Sequence, residues 1–252
     1  MQSKRRKLPR PWKILLPIVF WLAVWWGAAS VVHQSLLIPT PLEVLRQLGQ
    51  LVVTAAFWRY TAMSLLRITV GGLAGVLLGI LCAAATYRFS LAEAVLSPAI
   101  RVIRATPVAS FIILVLLWVK TGKVPGVISA MVVLPVIWES VVSGLQAVDP
   151  LLLEFSRAYR LGRRDVLRYI YLPAVRPSLS AGVCNAIGLA WKSGVAAEVL
   201  CLPKAAIGTQ VYYSKLYLET PSLFAWTIVV VAVSMTLEAL ARRLLHQRGT
   251  QT

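Results

Sequence analysis

Long apolar runs separated by short charged stretches organise this chain. A bilayer core of about 30 Å is crossed by roughly 20 helical residues at about 1.5 Å each. Runs of that length cover 14–32, 68–87, 124–148, 179–202 and 223–241, and each predicts a membrane-spanning helix. A sixth segment, 105–120, is harder to read. Its uncharged part, Val108–Val119, reaches only about 18 Å as a helix. Pro107 precedes it, and Gly122 and Pro125 follow. One reading is a short or broken helix and a tight turn, which persist at membrane depth only where protein or a watery cavity covers them. The other is a helix that starts earlier, near Ala99, with Arg101 and Arg104 reaching for the interface. The pattern predicts an all-α polytopic membrane protein of six transmembrane helices, forming a single transmembrane domain over 1–252. The first run follows a basic head (Lys4, Arg5, Arg6, Lys7, Arg10 and Lys13), as in a signal peptide. It is long for one, so an uncleaved helix is expected. In the second run, Gly71, Gly75 and Gly79 form a small-residue row every four positions, a face that lets another helix approach closely.

Composition strengthens this picture. The chain is 58% hydrophobic and 14% charged, against about 45–50% and 25% in soluble domains, and its mean hydropathy is +0.75. A soluble globular fold is excluded. The net charge of +17 would suggest nucleic acid in a soluble chain; in a membrane protein it reads as the positive-inside bias, and no nucleic-acid partner is expected. With six spans, eighteen of the 26 Lys and Arg residues fall on the side of both termini and the 149–177 loop. Six fall on the other side, and Arg67 and Lys192 lie at or inside spans. Both termini and that loop are therefore expected in the cytoplasm. Cys82, Cys184 and Cys201 are scattered and have no metal-ligand spacing. His33 and His246 are isolated near the membrane surfaces, so neither predicts a metal site. Of Trp12, Trp21, Trp25 and Trp26, clustered at the first span, Trp12 fits the interfacial belt. Nothing groups Ser, His, Asp or Cys as a catalytic site, and no cofactor is expected.

The 149–177 loop is the longest connection expected on the cytoplasmic side. Asp149-Pro150 is a helix start, with proline in the first turn. Leu153, Ala158, Leu161 and Leu167 alternate with charges at helical intervals. The expectation is a short amphipathic helix, a turn near Gly162 and a second short helix, with Pro173 and Pro177 ending helical structure before the fifth span. The basic face alone would suit anionic lipid, but lipid binding does not explain so long an insert among short connections.

The loop also carries a pattern: Glu-x-x, three residues, a turn position, nine residues, then Ile-x-Leu-Pro. Glu154, Ser156, Arg160, Ile170, Leu172 and Pro173 fall at those intervals. In this the chain resembles permease subunits of ATP-binding-cassette importers of type I, whose pattern opens Glu-Ala-Ala and places glycine at the turn. Ile38-Pro39-Thr40-Pro41 with Glu43-Val44-Leu45, Ser64-Leu65-Leu66-Arg67, Pro107-Val-Ala109, Ala197-Glu198 and Ile207-Gly208 resemble the nitrate/sulfonate/taurine branch. The likeness runs over about 36–243. Phe155 and Ser156 replace the two alanines, and Arg160 replaces the glycine, so Gly162 is expected to supply the turn. The resemblance implies an inner-membrane permease in a bacterial cell. It implies ATPase subunits docked on the loop through Glu154, Ser156, Arg157, Arg160, Gly162, Ile170, Leu172 and Pro173. It also implies an extracytoplasmic substrate-binding protein on the outer loops and a second permease copy, with a homodimer expected. The chain has no G-x-x-x-x-G-K-[ST] phosphate loop, so it is expected not to be an enzyme and ATP hydrolysis is expected on a partner. A secondary carrier or channel working without an ATPase is the alternative.

Ionisable residues inside spans are functional candidates by default. Lys192 and Glu198 lie in the fifth span and Glu139 in the fourth. Six residues put Lys192 and Glu198 on different faces of a helix. Lys192, beside Trp191, either lines a translocation path and favours an anion or pairs with a carboxylate such as Glu139. Glu198 and Glu139 are candidates for the translocation path, with a gating or structural role favoured over substrate selection for Glu198 and the same alternatives for Glu139.

Overall fold

The computed structural model describes residues 12–32, 34 and 36–246. The basic residues up to Arg10, His33 and Arg248 lie outside the described residues. Among the described residues every regular element is helical. The helices are α1 (Trp12–Val32), α2 (Pro41–Val52), α3 (Ala55–Arg88), α4 (Ser90–Ala105), α5 (Val108–Leu116), α6 (Val124–Gln146), α7 (Pro150–Ala158), α8 (Arg163–Val166), α9 (Leu172–Cys201), α10 (Ile207–Leu216) and α11 (Thr220–His246). A π-helical turn, Leu167–Tyr171, joins α8 to α9. The chain forms two compact units, one of 1–58 with 210–228 and one of 59–209 with 229–252.

The smaller unit is held by aromatic and capping contacts. Thr40 and Glu43 form a reciprocal capping box at the start of α2, with Pro41 in its first turn, which satisfies two orphan backbone donors. The Trp25 indole donates to the Pro39 carbonyl at 3.1 Å and stacks on Phe224 at 5.7 Å. Phe57 stacks on Trp226 at 5.2 Å, and the Gln47 amide donates to the Ser222 hydroxyl at 2.9 Å.

The larger unit packs α3, α6 and α9 backbone to backbone. The glycine row of α3 is the contact surface for α6. A Cβ at Gly75 would lie 2.6 Å from the Ala130 carbonyl oxygen, and one at Gly79 2.8 Å from Ile137 Cβ. Gly71 abuts the backbone of Gly126. Beside α3 on α6, Gly144 meets Val175 and Gly182 meets Ser140, both pairs joining α6 to α9. The Ser129 hydroxyl donates to the Ala190 carbonyl at 3.0 Å. Ile112, Val115, Val124, Ile128, Ala197 and Cys201 close an apolar core between α5, α6 and α9.

Several helices depart from the expected segments. α3 starts at Ala55 rather than 68, because hydropathy marks only the apolar part of a helix and no breaker stands between Ala55 and Ile68. At 105–120 a bend of 105° separates α4 from α5. Pro107 forces Thr106 out of the helical region, to φ −80°, ψ 131°. The helix near Ala99 is thus a separate element. Pro173 and Pro177 do not end the helix: Pro173 falls in the first turn of α9, where its missing N–H costs little, and Pro177 lies inside it. The 203–221 connection contains α10. Among the described residues four helices (α1, α3, α6 and α11) are long and apolar enough to cross a membrane, and five if α4 and α5 together make one span. α9 has the length, at 30 residues, but its prolines, serines, Arg176, Asn185 and Lys192 make it the most polar of the long helices.

Gly75→Leu is expected to cost about 2–3 kcal/mol through overpacking, read as a lowered thermal midpoint of the detergent-solubilised chain. Gly49→Ala, with nothing within 4 Å of its Cβ position, is expected to leave the midpoint unchanged or raise it slightly.

Candidate functional site

The 149–177 segment is a built element. The Asp149 carboxylate accepts from the Leu151 amide at 2.9 Å and caps α7. The end of α7 closes in a Schellman motif. The Leu161 amide donates to the Ser156 carbonyl at 2.9 Å and the Arg160 amide to the Arg157 carbonyl at 3.1 Å. That motif demands a left-handed residue, and Arg160 supplies it at φ 51°. The turn therefore sits where the pattern has glycine, on a side chain that disfavours it. Gly162, expected to make this turn, is the extended N-cap of α8 at φ −64°, ψ 151°. Ser156 is buried, its hydroxyl donating to the Leu153 carbonyl at 2.8 Å. Glu154, Arg157, Arg160, Gly162, Leu172 and Pro173 are exposed, and Ile170 is half-buried. Around Glu154 the chain also exposes Leu151, Leu152, Phe155 and Tyr159, with the Phe155 and Tyr159 rings 4.3 Å apart. An apolar stripe flanked by charge is the surface expected of a docking helix.

A second feature is a cleft of about 2090 Å³ between α4–α6, α9 and the C-terminal part of α11, with its lining all in the larger unit. Its charged lining is unequal: Arg104, Arg168, Arg176, Lys192 and Arg242 against Glu139 and Glu238. Glu139 is paired with Arg104. The partner of Lys192 is therefore not Glu139 but Glu238, whose Oε1 is 3.8 Å from Lys192 Nζ. Arg242 reaches the other oxygen of Glu238 at 3.4 Å. Of the four residues expected to line a path, Lys192 and Glu139 face this cleft. Trp191 points the other way, fully buried, with its indole donating to the Val230 carbonyl at 2.9 Å.

Glu198 is also fully buried, away from the cleft. Its Oε2 accepts from the Ser64 hydroxyl at 2.8 Å and from the Gly208 amide at 3.1 Å. Ser64 in turn accepts from the Ile207 amide at 2.9 Å. Arg67 donates to the carbonyls of Lys204 and Ala205 at 2.8 and 3.2 Å. These bonds tie the 202–208 crossing, with Leu202 and Ala205 both left-handed, to α3 and α9. Glu198 thus holds a loop in place.

Comparison with known proteins decides what kind of molecule carries these features. The family of binding-protein-dependent transport system inner membrane components matches residues 75–248. The chain belongs to that family. Like its relatives, this permease is a transport component of an ATP-binding-cassette importer. It is 26% identical to the taurine transport system permease protein TauC of Escherichia coli (strain K12), over 90% of this chain and 86% of that one. It is 24% identical to the putative aliphatic sulfonates transport permease protein SsuC of Bacillus subtilis (strain 168), over 92% and 84%. Its fold matches that of an amino acid ABC transporter crystallised with histidines, with a TM-score of 0.65 and 22% identity over 81% of this chain and 98% of that one. The permease is therefore a multi-pass inner-membrane protein of that family.

Sequence reasoning missed Glu238 and the pairing of Arg104 with Glu139. The signal for Glu238 was present: a carboxylate inside the sixth apolar run, four residues before an arginine.

Arg160→Gly removes a left-handed penalty of about 1–2 kcal/mol and returns about 0.5–1 kcal/mol to the unfolded chain. The net expectation is slower hydrogen exchange at the Leu161 amide and a slightly higher thermal midpoint. Glu198→Ala strips the acceptor from two buried donors and is expected to cost about 2–3 kcal/mol. Glu198→Gln, which keeps a carbonyl oxygen, should lose less than half of that in the same thermal unfolding assay.

Proposed function

We propose that the permease moves a small anion, such as a sulfonate, taurine or nitrate, through the cleft, driven by ATPase subunits docked on the 149–177 loop. The observation that carries the solute class is the cleft's charge, five cations against two carboxylates. In a cleft with largely apolar walls such an excess attracts anions and rejects cations. The names of the taurine and sulfonate relatives agree with this class. In this reading six segments cross the membrane, with α4–α5 as one bent span and α9 as another. Both termini and the loop then face the cytoplasm, as the distribution of Lys and Arg requires. α7 offers its Leu151, Leu152, Phe155 and Tyr159 stripe to a groove on the ATPase, and Glu154 offers a carboxylate to a basic residue there. ATP hydrolysis belongs to that separate chain. A binding protein delivers solute to the outer segments around α2 and α10, and two copies of the permease enclose the path.

Tagged permease purified in mild detergent is expected to carry an ATP-binding-cassette subunit with it, identified by mass spectrometry. Glu154→Arg in every copy should abolish that co-purification and cut ATP-dependent uptake of labelled ethanesulfonate or nitrate by at least about tenfold. Intact assembly and uptake in the Glu154→Arg form would overturn the docking role. A permease that purifies alone and transports without ATP would overturn the importer reading.

A further inference from the structure

Glu238 is a component that a simple anion path does not need. It lies on α11 behind two cations that open to the cleft: the side chains of Lys192 and Arg242 are 68% and 72% exposed, that of Glu238 28%. Both of its oxygens are engaged. Oε1 faces Lys192 Nζ at 3.8 Å and accepts from the Ser234 hydroxyl at 3.4 Å, while Oε2 accepts from Arg242 Nη2 at 3.4 Å. α9 makes room for it at Gly188, where a Cβ would sit 2.6 Å from Oε1. Yet both cation contacts are longer than the roughly 2.7–2.9 Å of a tight charge-assisted hydrogen bond. The carboxylate is close enough to neutralise the cations and too far to lock them. A free oxyanion in the cleft suffers no such tether and can approach both at the shorter distance.

We propose that Glu238 is an internal anion that occupies the Lys192–Arg242 pair while the cleft is empty, and that the anionic group of the solute competes with it for Lys192. This rests on the reading of the cleft as the path of a small anion. A neutral or cationic solute has nothing with which to displace the carboxylate, so Glu238 sharpens selection. It also limits how tightly an anion is held. Conduction requires a site favourable enough to enter and weak enough to leave, and a competing carboxylate returns Lys192 to a paired state as the solute departs. Glu238 acts through Lys192 and Arg242 and is a positioning residue.

The test is equilibrium binding of radiolabelled ethanesulfonate to the assembled transporter, permease with its ATPase, in nanodiscs at low ionic strength. Uptake is measured in parallel in proteoliposomes with the binding protein. Glu238→Gln, nearly isosteric, is expected to bind about fivefold more tightly than wild type, the size of a partly exposed ion pair, while turning over more slowly. Glu238→Asp, which draws the carboxylate back by one methylene, should move affinity in the same direction. Lys192→Gln should weaken binding, and the double substitution should bind like Lys192→Gln. Wild-type binding that Glu238→Gln and Glu238→Asp leave unchanged or weaken would overturn the displacement and leave the anion path standing. No binding to any form at millimolar concentrations would overturn the anion path, and the displacement with it.

Discussion

Backbone-to-backbone contact along α6 is the constraint on which the larger unit depends. In a bilayer, lipid tails are as apolar as leucine, so helices gain little from burying apolar side chains against each other. What remains is close packing and the hydrogen bonds it permits. Gly71, Gly75 and Gly79 bring α3 onto α6, and Gly144 and Gly182 bring α9 onto it beside α3. With the backbones this near, Ser129 reaches the Ala190 carbonyl across the interface, and Trp138 reaches the Thr86 hydroxyl at 3.1 Å. α9, which carries Lys192 into the cleft, is positioned by its contact with α6. The charged site is thus placed by residues that have no chemistry of their own.

Much of this was legible in the chain, for identifiable reasons. Spans with a long apolar signature, such as α1, α6 and α11, read directly, because hydropathy and helix length report the same property there. The glycine row of α3 read correctly as a packing face because a spacing of four marks one side of a helix. Elements whose polarity conflicts with their length read poorly. The polar start of α3 carries no hydropathy signal, and the prolines of α9 looked like stops. Pro173 falls where a π turn runs straight into the first turn of α9, and a π turn has no sequence signature. At the loop, Asp149-Pro150 announced the helix start. The left-handed residue was assigned to Gly162 because glycine is the residue that tolerates it. The Schellman geometry fixes the position by counting from the helix end, and it falls on Arg160 whatever its side chain.

The candidate site was half visible for a related reason. A charge inside an apolar run is conspicuous one residue at a time, so Lys192, Glu198 and Glu139 stood out. Their partners are properties of three dimensions. Arg104 pairs with Glu139 across 35 positions of sequence, and Glu198 binds Ser64 across 134. Two residues of one helix, Lys192 and Glu198, were rightly placed on different faces, yet they serve different ends. One faces an open cleft, and the other is sealed in a hydrogen-bonded crossing. Helical angle separates faces; it does not say what lies against each.

The join between the loop and α9 bears on how force travels. From Arg163 to Cys201 the chain is helical throughout, with no slack segment. α8 and α9 behave as one torsion rod, and Lys192 lies about 30 Å along it from Leu172. A twist applied at α8 has two destinations. It reaches the cleft, or it is absorbed in the wider winding of Leu167–Tyr171, the turn where the rod's regular i→i−4 register is interrupted. The stiffness of those five residues therefore sets the gearing between the loop end of this helix and the charge it carries.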